Sequence, residues 1–165
     1  MRNAAKHNSF SAAMSTELVD ALREAQGAGS RAVILRAEPG VKVWSAGHDI
    51  SELPVGDQDP LAWTNTLAAM MEDVAAFPLP LIAAVEGGVW GGACELVMAA
   101  DIVVAHKAST FAITPAKLDV AYSSAGISRF LAALPVHIAK EMFFTAEPIS
   151  AQRASSRSMR ASMVF

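Results

Sequence analysis

The sequence has little of what secreted, nucleic-acid-binding or membrane proteins rely on. It contains a single cysteine, Cys94, so an internal disulfide cannot form, and its N-terminus lacks the apolar core of a secretory signal. Thirteen Lys and Arg residues face sixteen Asp and Glu residues, and no basic run follows any one segment. The net charge of −3 therefore argues against a nucleic-acid partner, and we expect a cytoplasmic location.

An uninterrupted membrane-spanning run is also missing. The longest apolar stretch covers residues 79–100 and holds Gly88 and Gly92 at the spacing of a helix-dimerisation motif. Glu86 and Glu95 interrupt it, and four glycines break its middle. Two buried elements joined by a glycine loop fit this pattern better than one transmembrane helix, so no membrane partner is expected.

What the chain does contain is enough apolar material for one folded domain. Hydrophobic residues make up 53% of 165 positions. Apolar residues at helical spacing predict helices over residues 14–25, 59–77, 93–100 and 136–144, with a further helical pattern from residue 125. Short apolar runs predict buried strands over residues 32–37, 43–44, 81–85 and 102–105. This alternation predicts the α/β class with parallel strands and flanking helices.

Two glycine-containing loops follow predicted strands and share one design. The first covers residues 45–50 (SAGHDI) and the second residues 86–92 (EGGVWGG). Glycine permits a sharp turn and close approach of a ligand to the main chain, and Gly92 opens a helix whose positive end favours anions. Two amides aimed at one point could bind an oxyanion. A plain turn remains open, whereas the spacings of a phosphate loop, a dinucleotide fold and a serine-hydrolase elbow are all absent.

Three sequence blocks carry a family resemblance. They are KVWSAGHDISELP (residues 42–54), PLPLIAAVEGGVWGGACELVMAADIVVA (78–105) and STFAITPAKLDVAYSSAG (109–126). In order and spacing they resemble the crotonase (enoyl-CoA hydratase/isomerase) superfamily. The resemblance implies a ββα spiral core and an oxyanion hole formed by the amides of His48 and Gly92. It also implies that Ala46, Gly47, His48, Asp49 and Ile50 hold coenzyme A, with Gly91, Gly92 and Thr114 completing the substrate-binding set.

Carboxylates at two positions of the sequence distinguish the reactions that members of the superfamily catalyse. Glu95 stands at the first hydratase glutamate position, but Ala116 stands where the second would follow Pro115. Hydration needs two acid/base groups, whereas loss of CO2 from a malonyl-type thioester generates the enolate directly. The histidine of AGHD, the tryptophan of GGVWGG, Thr114 and Tyr122 together resemble the methylmalonyl-CoA decarboxylases of this superfamily, and this resemblance implies decarboxylation of methylmalonyl-CoA to propionyl-CoA. An enoyl-CoA hydratase or isomerase and a non-catalytic acyl-CoA-binding protein remain the alternatives.

The same resemblance assigns further roles. It places Tyr122 and Thr114 near the substrate carboxylate or thioester, and Glu95 in the lining of the site. Our hypothesis is that Tyr122 orients the substrate carboxylate so that the breaking bond aligns with the enolate. It implies no cofactor beyond the coenzyme A of the substrate, no metal, and a homo-oligomer, either a trimer or a hexamer. We interpret Trp44, Trp63 and Trp90 as pocket wall or interface, and Cys94 as a packing residue.

The resemblance also predicts what is missing from the family fold. It implies a core at residues 1–154 without the opening β-hairpin and without the C-terminal helical region. Residues 155–165 (SSRSMRASMVF) show neither helical nor strand periodicity and are predicted to be a tail foreign to the family.

Overall fold

The computed structural model describes residues 1–52, 66–118 and 121–155. Its α-helices are Ala12–Gly27 (α1), Thr66–Ala75 (α2), Gly92–Ala99 (α3), Ser124–Ala133 (α4), Val136–Thr145 (α5) and Ala151–Ser155 (α6). Its strands are Val33–Arg36 (β1), Val43–Ser45 (β2), Leu81–Val85 (β3), Gly88–Trp90 (β4), Ile102–Ala105 (β5), Thr110–Ala112 (β6) and Ile149–Ser150 (β7). The predicted α/β class and its parallel pairing are confirmed.

The strands form two sheets between which the chain alternates. One sheet has the order β1-β3-β5 and is parallel throughout. The other has the order β2-β4-β6-β7, in which β7 is antiparallel to β6. Because the first six strands alternate between the sheets, each turn of the chain adds one strand to each, and the last residues of β2, β4 and β6 come to lie side by side.

The core lies between the sheets and the helices. Helix α1 presents Leu18, Val19 and Leu22 to it, and its N-cap Ser11 accepts a hydrogen bond from the Met14 amide. Trp44 is fully buried, and its indole N–H donates to the Ala84 carbonyl at 2.8 Å, which joins the two sheets. The interpretation of Trp44 as pocket wall or interface is therefore wrong, since its side chain is fully buried in the core, and Trp63 lies outside the described residues.

Three short strands of the larger sheet, β4, β6 and β7, were not predicted. Residues 86–92 were interpreted as a loop, but Gly88–Trp90 form β4 between β2 and β6. Three residues that include a glycine carry no alternating pattern, so pairing alone makes this segment a strand. The predicted helix start at Asp59 and the residues from 156 onward lie outside the described residues, and the predicted foreign tail stays a prediction. Of the helices that the structure describes, none has the length and apolar character needed to cross a bilayer.

Candidate active site

The predicted site residues gather at the carboxyl ends of three neighbouring parallel strands. Residues 46–50 follow β2, Gly91 and Gly92 follow β4, and Thr114 follows β6. The carboxyl edge of a parallel sheet is the usual place for a ligand in α/β proteins. The structure therefore brings together groups that are up to 68 residues apart in the sequence, from Ala46 to Thr114.

The loop after β2 is held by an N-terminal turn. Asn8 donates its side-chain amide to the Trp44 carbonyl at 3.0 Å, and the Ser45 hydroxyl donates to the Asn8 carbonyl at 2.7 Å. The Ala46 amide donates to the carbonyl of His7 at 2.9 Å. These buried bonds fix the loop from behind, so its position does not depend on a ligand.

Asp49 belongs to this support. Its carboxylate accepts hydrogen bonds from the amide and hydroxyl of Ser51 and from the Lys6 ammonium. The hydrogen bonds from Ser51, followed by that from Lys6, lower the pKa of Asp49 from 3.8 to about 2. A carboxylate with these partners caps a turn, and its predicted contact with coenzyme A stays a prediction.

The two glycine loops touch through their main chains. Gly47 has φ 82°, and a methyl group added to it would lie 2.5 Å from the Trp90 carbonyl oxygen and 2.7 Å from the Gly92 nitrogen. A methyl group added to Gly92 would lie 3.7 Å from the His48 nitrogen, an ordinary van der Waals contact between the two loops. Any side chain at residue 47 would therefore push the loops apart.

The direction of the His48 amide follows from the strand-like bridge beside it. Phe10 donates to the Gly47 carbonyl at 2.7 Å and accepts from the Asp49 amide at 3.1 Å, as in a parallel ladder. In such a ladder the residue between the two bonded positions turns its own N–H away from the partner strand. The amide of His48 thus points away from Phe10. Burial lowers the pKa of the His48 imidazole below its ordinary 6.5, although the Glu52 and Asp49 carboxylates oppose the shift.

Glu95 lies one turn into α3 and is held by two partners. Its Oε1 accepts from the Arg129 guanidinium at 2.6 Å, and its Oε2 accepts from the Tyr122 hydroxyl at 2.9 Å. The second guanidinium nitrogen of Arg129 donates to Glu72 at 2.7 Å on the exposed side. Each oxygen of Glu95 thus has one partner within the protein, and these two bonds fix the orientation of the carboxylate.

Tyr122 is packed in an aromatic corner. Its ring meets Phe130 and Phe143 edge-on at centroid distances of 5.9 and 5.2 Å, and Gly126 leaves room for it. Burial, followed by the charge and hydrogen bond of Glu95, raises the pKa of Tyr122 well above its ordinary 10.0. Tyr122 is therefore a neutral phenol, and its hydroxyl group donates its one hydrogen bond to Glu95.

Sequence reasoning missed Arg129 and Glu72. The one available signal was an arginine on the apolar helix that also carries Phe130, but nothing in the sequence pairs it with a carboxylate 34 residues earlier. Cys94 packs as predicted: it is fully buried, and burial raises the pKa of its thiol from 9.0 to about 12. Within the described ranges, no three His, Cys, Asp or Glu side chains are grouped to hold a metal ion.

The chain is similar in sequence and in structure to proteins of known function. Methylmalonyl-CoA decarboxylase of Escherichia coli (strain K12) is 45% identical over 149 residues, which cover 90% of this chain and 57% of the relative. A solved structure of methylmalonyl-CoA decarboxylase in complex with 2-nitronate-propionyl-CoA superposes with a TM-score of 0.89 at 42% identity, covering 96% of this chain and 62% of that chain.

More distant relatives share the fold as well. The human mitochondrial enoyl-CoA hydratase domain-containing protein 3 is 35% identical over 157 residues, covering 93% of this chain and 51% of the relative. The chain thus spans between half and two thirds of the length of these proteins. The sequence profile for enoyl-CoA hydratase/isomerase matches residues 1–162. The chain has the crotonase fold and belongs to the enoyl-CoA hydratase/isomerase family.

Proposed function

We propose that this chain stabilises a coenzyme A thioester enolate with the amides of His48 and Gly92, and that its reaction is the decarboxylation of methylmalonyl-CoA to propionyl-CoA. The main-chain contact between the two glycine loops carries the proposal. It places the Gly92 nitrogen beside Gly47 and the His48 nitrogen beside Gly92, at the carboxyl edge of the sheet.

The two donors suit a developing oxyanion. The His48 amide points away from Phe10, and the Gly92 amide lies in the first turn of α3, where helix N–H groups have no partner within the helix. Neither donor has to move when charge develops: buried bonds of Asn8 hold the first loop, and the Gly91 amide of the second donates to the Ala112 carbonyl at 2.9 Å. A preorganised donor of this kind contributes about 3 kcal/mol to transition-state stabilisation.

The proposed reaction balances without a cofactor. The bond between the α-carbon and the carboxylate breaks, its electron pair passes into the thioester to form the enolate, and CO2 leaves. A proton then adds to the α-carbon and gives propionyl-CoA. Such a reaction needs no general base at the substrate, because the departing carboxylate supplies the electrons.

The surroundings of Glu95 speak against hydration. A hydratase would use this carboxylate to move a proton to or from water, but here Arg129 and Tyr122 engage both of its oxygens. The second position, Ala116, has no ionisable group. The close similarity to methylmalonyl-CoA decarboxylase supports the same choice.

The test measures turnover and binding separately. The protein is incubated with methylmalonyl-CoA, malonyl-CoA and crotonyl-CoA, while CO2 release and hydration are followed independently. CO2 release from methylmalonyl-CoA without hydration of crotonyl-CoA is the expected result. Hydration alone would assign the chain to the hydratases, and binding without turnover would make it an acyl-CoA-binding protein.

Calorimetry tests the oxyanion donors themselves. The compound 2-nitronate-propionyl-CoA carries a planar anion at the carbon next to the thioester, and we expect it to bind at least ~100-fold more tightly than propionyl-CoA. His48→Ala is the matched variant, because it removes the imidazole and keeps the amide, and it should retain this preference. Equal affinities for the two compounds would contradict a site built for an enolate.

A further inference from the structure

A chain of hydrogen-bonded side chains outside the two loops connects the protein interior with the surface. It runs from Glu72 through Arg129 and Glu95 to Tyr122, over three hydrogen bonds of 2.7, 2.6 and 2.9 Å. The exposed fraction of the side chain rises along it from 8% at Glu95 to 18% at Arg129 and 72% at Glu72. One end therefore lies in the protein and the other in water.

The inner end reaches the candidate site. Side chains in a helix lean toward its N-terminus, so Glu95 leans over the turn that begins with Gly92. Glu95 stands three residues after Gly92, within one turn of α3, and the Tyr122 hydroxyl is bonded to its carboxylate. A phenol has one proton, and here that proton goes to a carboxylate rather than toward a ligand.

We infer that Arg129 is a positioning residue: by pairing with Glu95 it fixes the direction of the Tyr122 hydroxyl proton, and through it the rate of the reaction. The inference rests on the proposed function. Arg129 touches no substrate. It supplies the positive charge that allows the Glu95 carboxylate to stay buried and in one orientation.

Without this charge the arrangement changes. With Arg129 removed, Glu95 keeps only the Tyr122 hydroxyl as a partner and has no balancing positive charge. Because its side chain is only 8% exposed, the carboxylate then turns toward water or toward a new donor. Tyr122 then loses its acceptor, and its proton is free to meet the substrate carboxylate, which would stabilise the ground state and slow the loss of CO2. Among the described residues, the charged and titratable groups that act on Tyr122 are Glu95, Cys94 and Arg129, and Glu72 on α2 acts on Arg129.

The chain contains a single tyrosine, which gives a direct readout. Labelling tyrosine with ¹³C at the phenolic carbon yields one NMR signal, and its position reports the hydrogen bond of Tyr122. We expect Arg129→Gln to shift this signal at neutral pH and to lower kcat for methylmalonyl-CoA about tenfold, with KM changed about twofold or less. Arg129→Lys, which keeps the charge, should restore part of both.

Glu72→Gln is the matched control. It removes the exposed partner of Arg129 and leaves the pair between Arg129 and Glu95 in place, so the signal and kcat should stay at the parent values. An unmoved tyrosine signal in Arg129→Gln, or an equal loss of kcat in Arg129→Gln and Glu72→Gln, would overturn the inference.

Two further outcomes are also decisive. If near-UV circular dichroism shows that Arg129→Gln does not fold, Arg129→Lys decides the question, because its different donor geometry must still shift the tyrosine signal. If the parent protein does not decarboxylate methylmalonyl-CoA, the proposed function fails, and the tyrosine signal alone decides whether Arg129 positions Tyr122.

Discussion

The two sheets of this fold differ in what surrounds them. In β2-β4-β6-β7 the first three strands are almost entirely buried, and the loops that follow them form the candidate site. In β1-β3-β5 one face packs on the core, whereas the other exposes apolar side chains, with Ile34 61% and Val104 40% exposed. The loops of the candidate site lie at the edge of the sheet β2-β4-β6-β7, whereas the sheet β1-β3-β5 leaves apolar side chains exposed on one face. Parallel sheets are usually covered on both faces, so this open face is the unusual feature.

The largest effect is expected where the loops of the buried sheet meet. Gly47→Ala should lower the free energy of unfolding by at least ~3 kcal/mol, because its methyl group would collide with the Trp90 carbonyl in a backbone region that disfavours alanine. Urea denaturation measures this loss. Gly40→Ala is the matched control, since Gly40 has nearly the same φ, 79°, and nothing within 4 Å, and it should cost only ~1 kcal/mol. Equal losses would mean that the loop contact adds nothing.

The sheet β1-β3-β5 offers a matched pair on one strand. Val103 is 1% exposed on the covered face and Val104 is 40% exposed on the open face. Val103→Thr should lower the free energy of unfolding by ~2 kcal/mol, because it buries an additional hydroxyl group. Val104→Thr should change it by no more than ~0.5 kcal/mol. If thermal or urea unfolding shows equal losses, the open face is covered in solution, which would support the predicted homo-oligomer.

The smallest effect concerns acid stability at the loop after β2. The pKa of Asp49 is about 2 in the fold against an ordinary 3.8, so its ionised form stabilises the protein above pH 4. This contribution, ~1 kcal/mol after allowance for the exposed Lys6 partner, is lost as the pH falls from 4 to 2. Asp49→Asn should remove this step from the pH dependence of unfolding. Asp20→Asn, at an exposed ion pair, should leave it. A step that persists in Asp49→Asn would assign it to another carboxyl.

The local spacing of apolar residues was enough to predict several of the strands and helices. Residues 81–85 and 102–105 form strands with the predicted bounds, because continuous apolar runs of four or five residues bounded by turns have few other stable states. Helix α1 extends two residues beyond the prediction at each end, within the usual uncertainty of helix termini. The family resemblance, confirmed by the comparisons, supplied the two loops and their residues.

Other features of the structure correspond to no recognisable pattern in the sequence. Strand β4 is too short and too rich in glycine to show a period, and only its pairing with β2 and β6 makes it a strand. The pair between Arg129 and Glu95 joins residues 34 positions apart on helices that pack against each other. Long-range ion pairs depend on where the backbone places both ends, and a single sequence does not contain that information.

The sequence by itself therefore determined the α/β class, the family and the identity of the two glycine loops, because these follow from local periodicity and from contiguous motifs. Tertiary structure decided that the loops touch through Gly47 and Gly92, that Glu95 is held by Arg129 and Tyr122, and that one sheet is left with an open face. The reason is physical: contact, burial and charge pairing are set by distances between segments, and those distances exist only once the chain has folded.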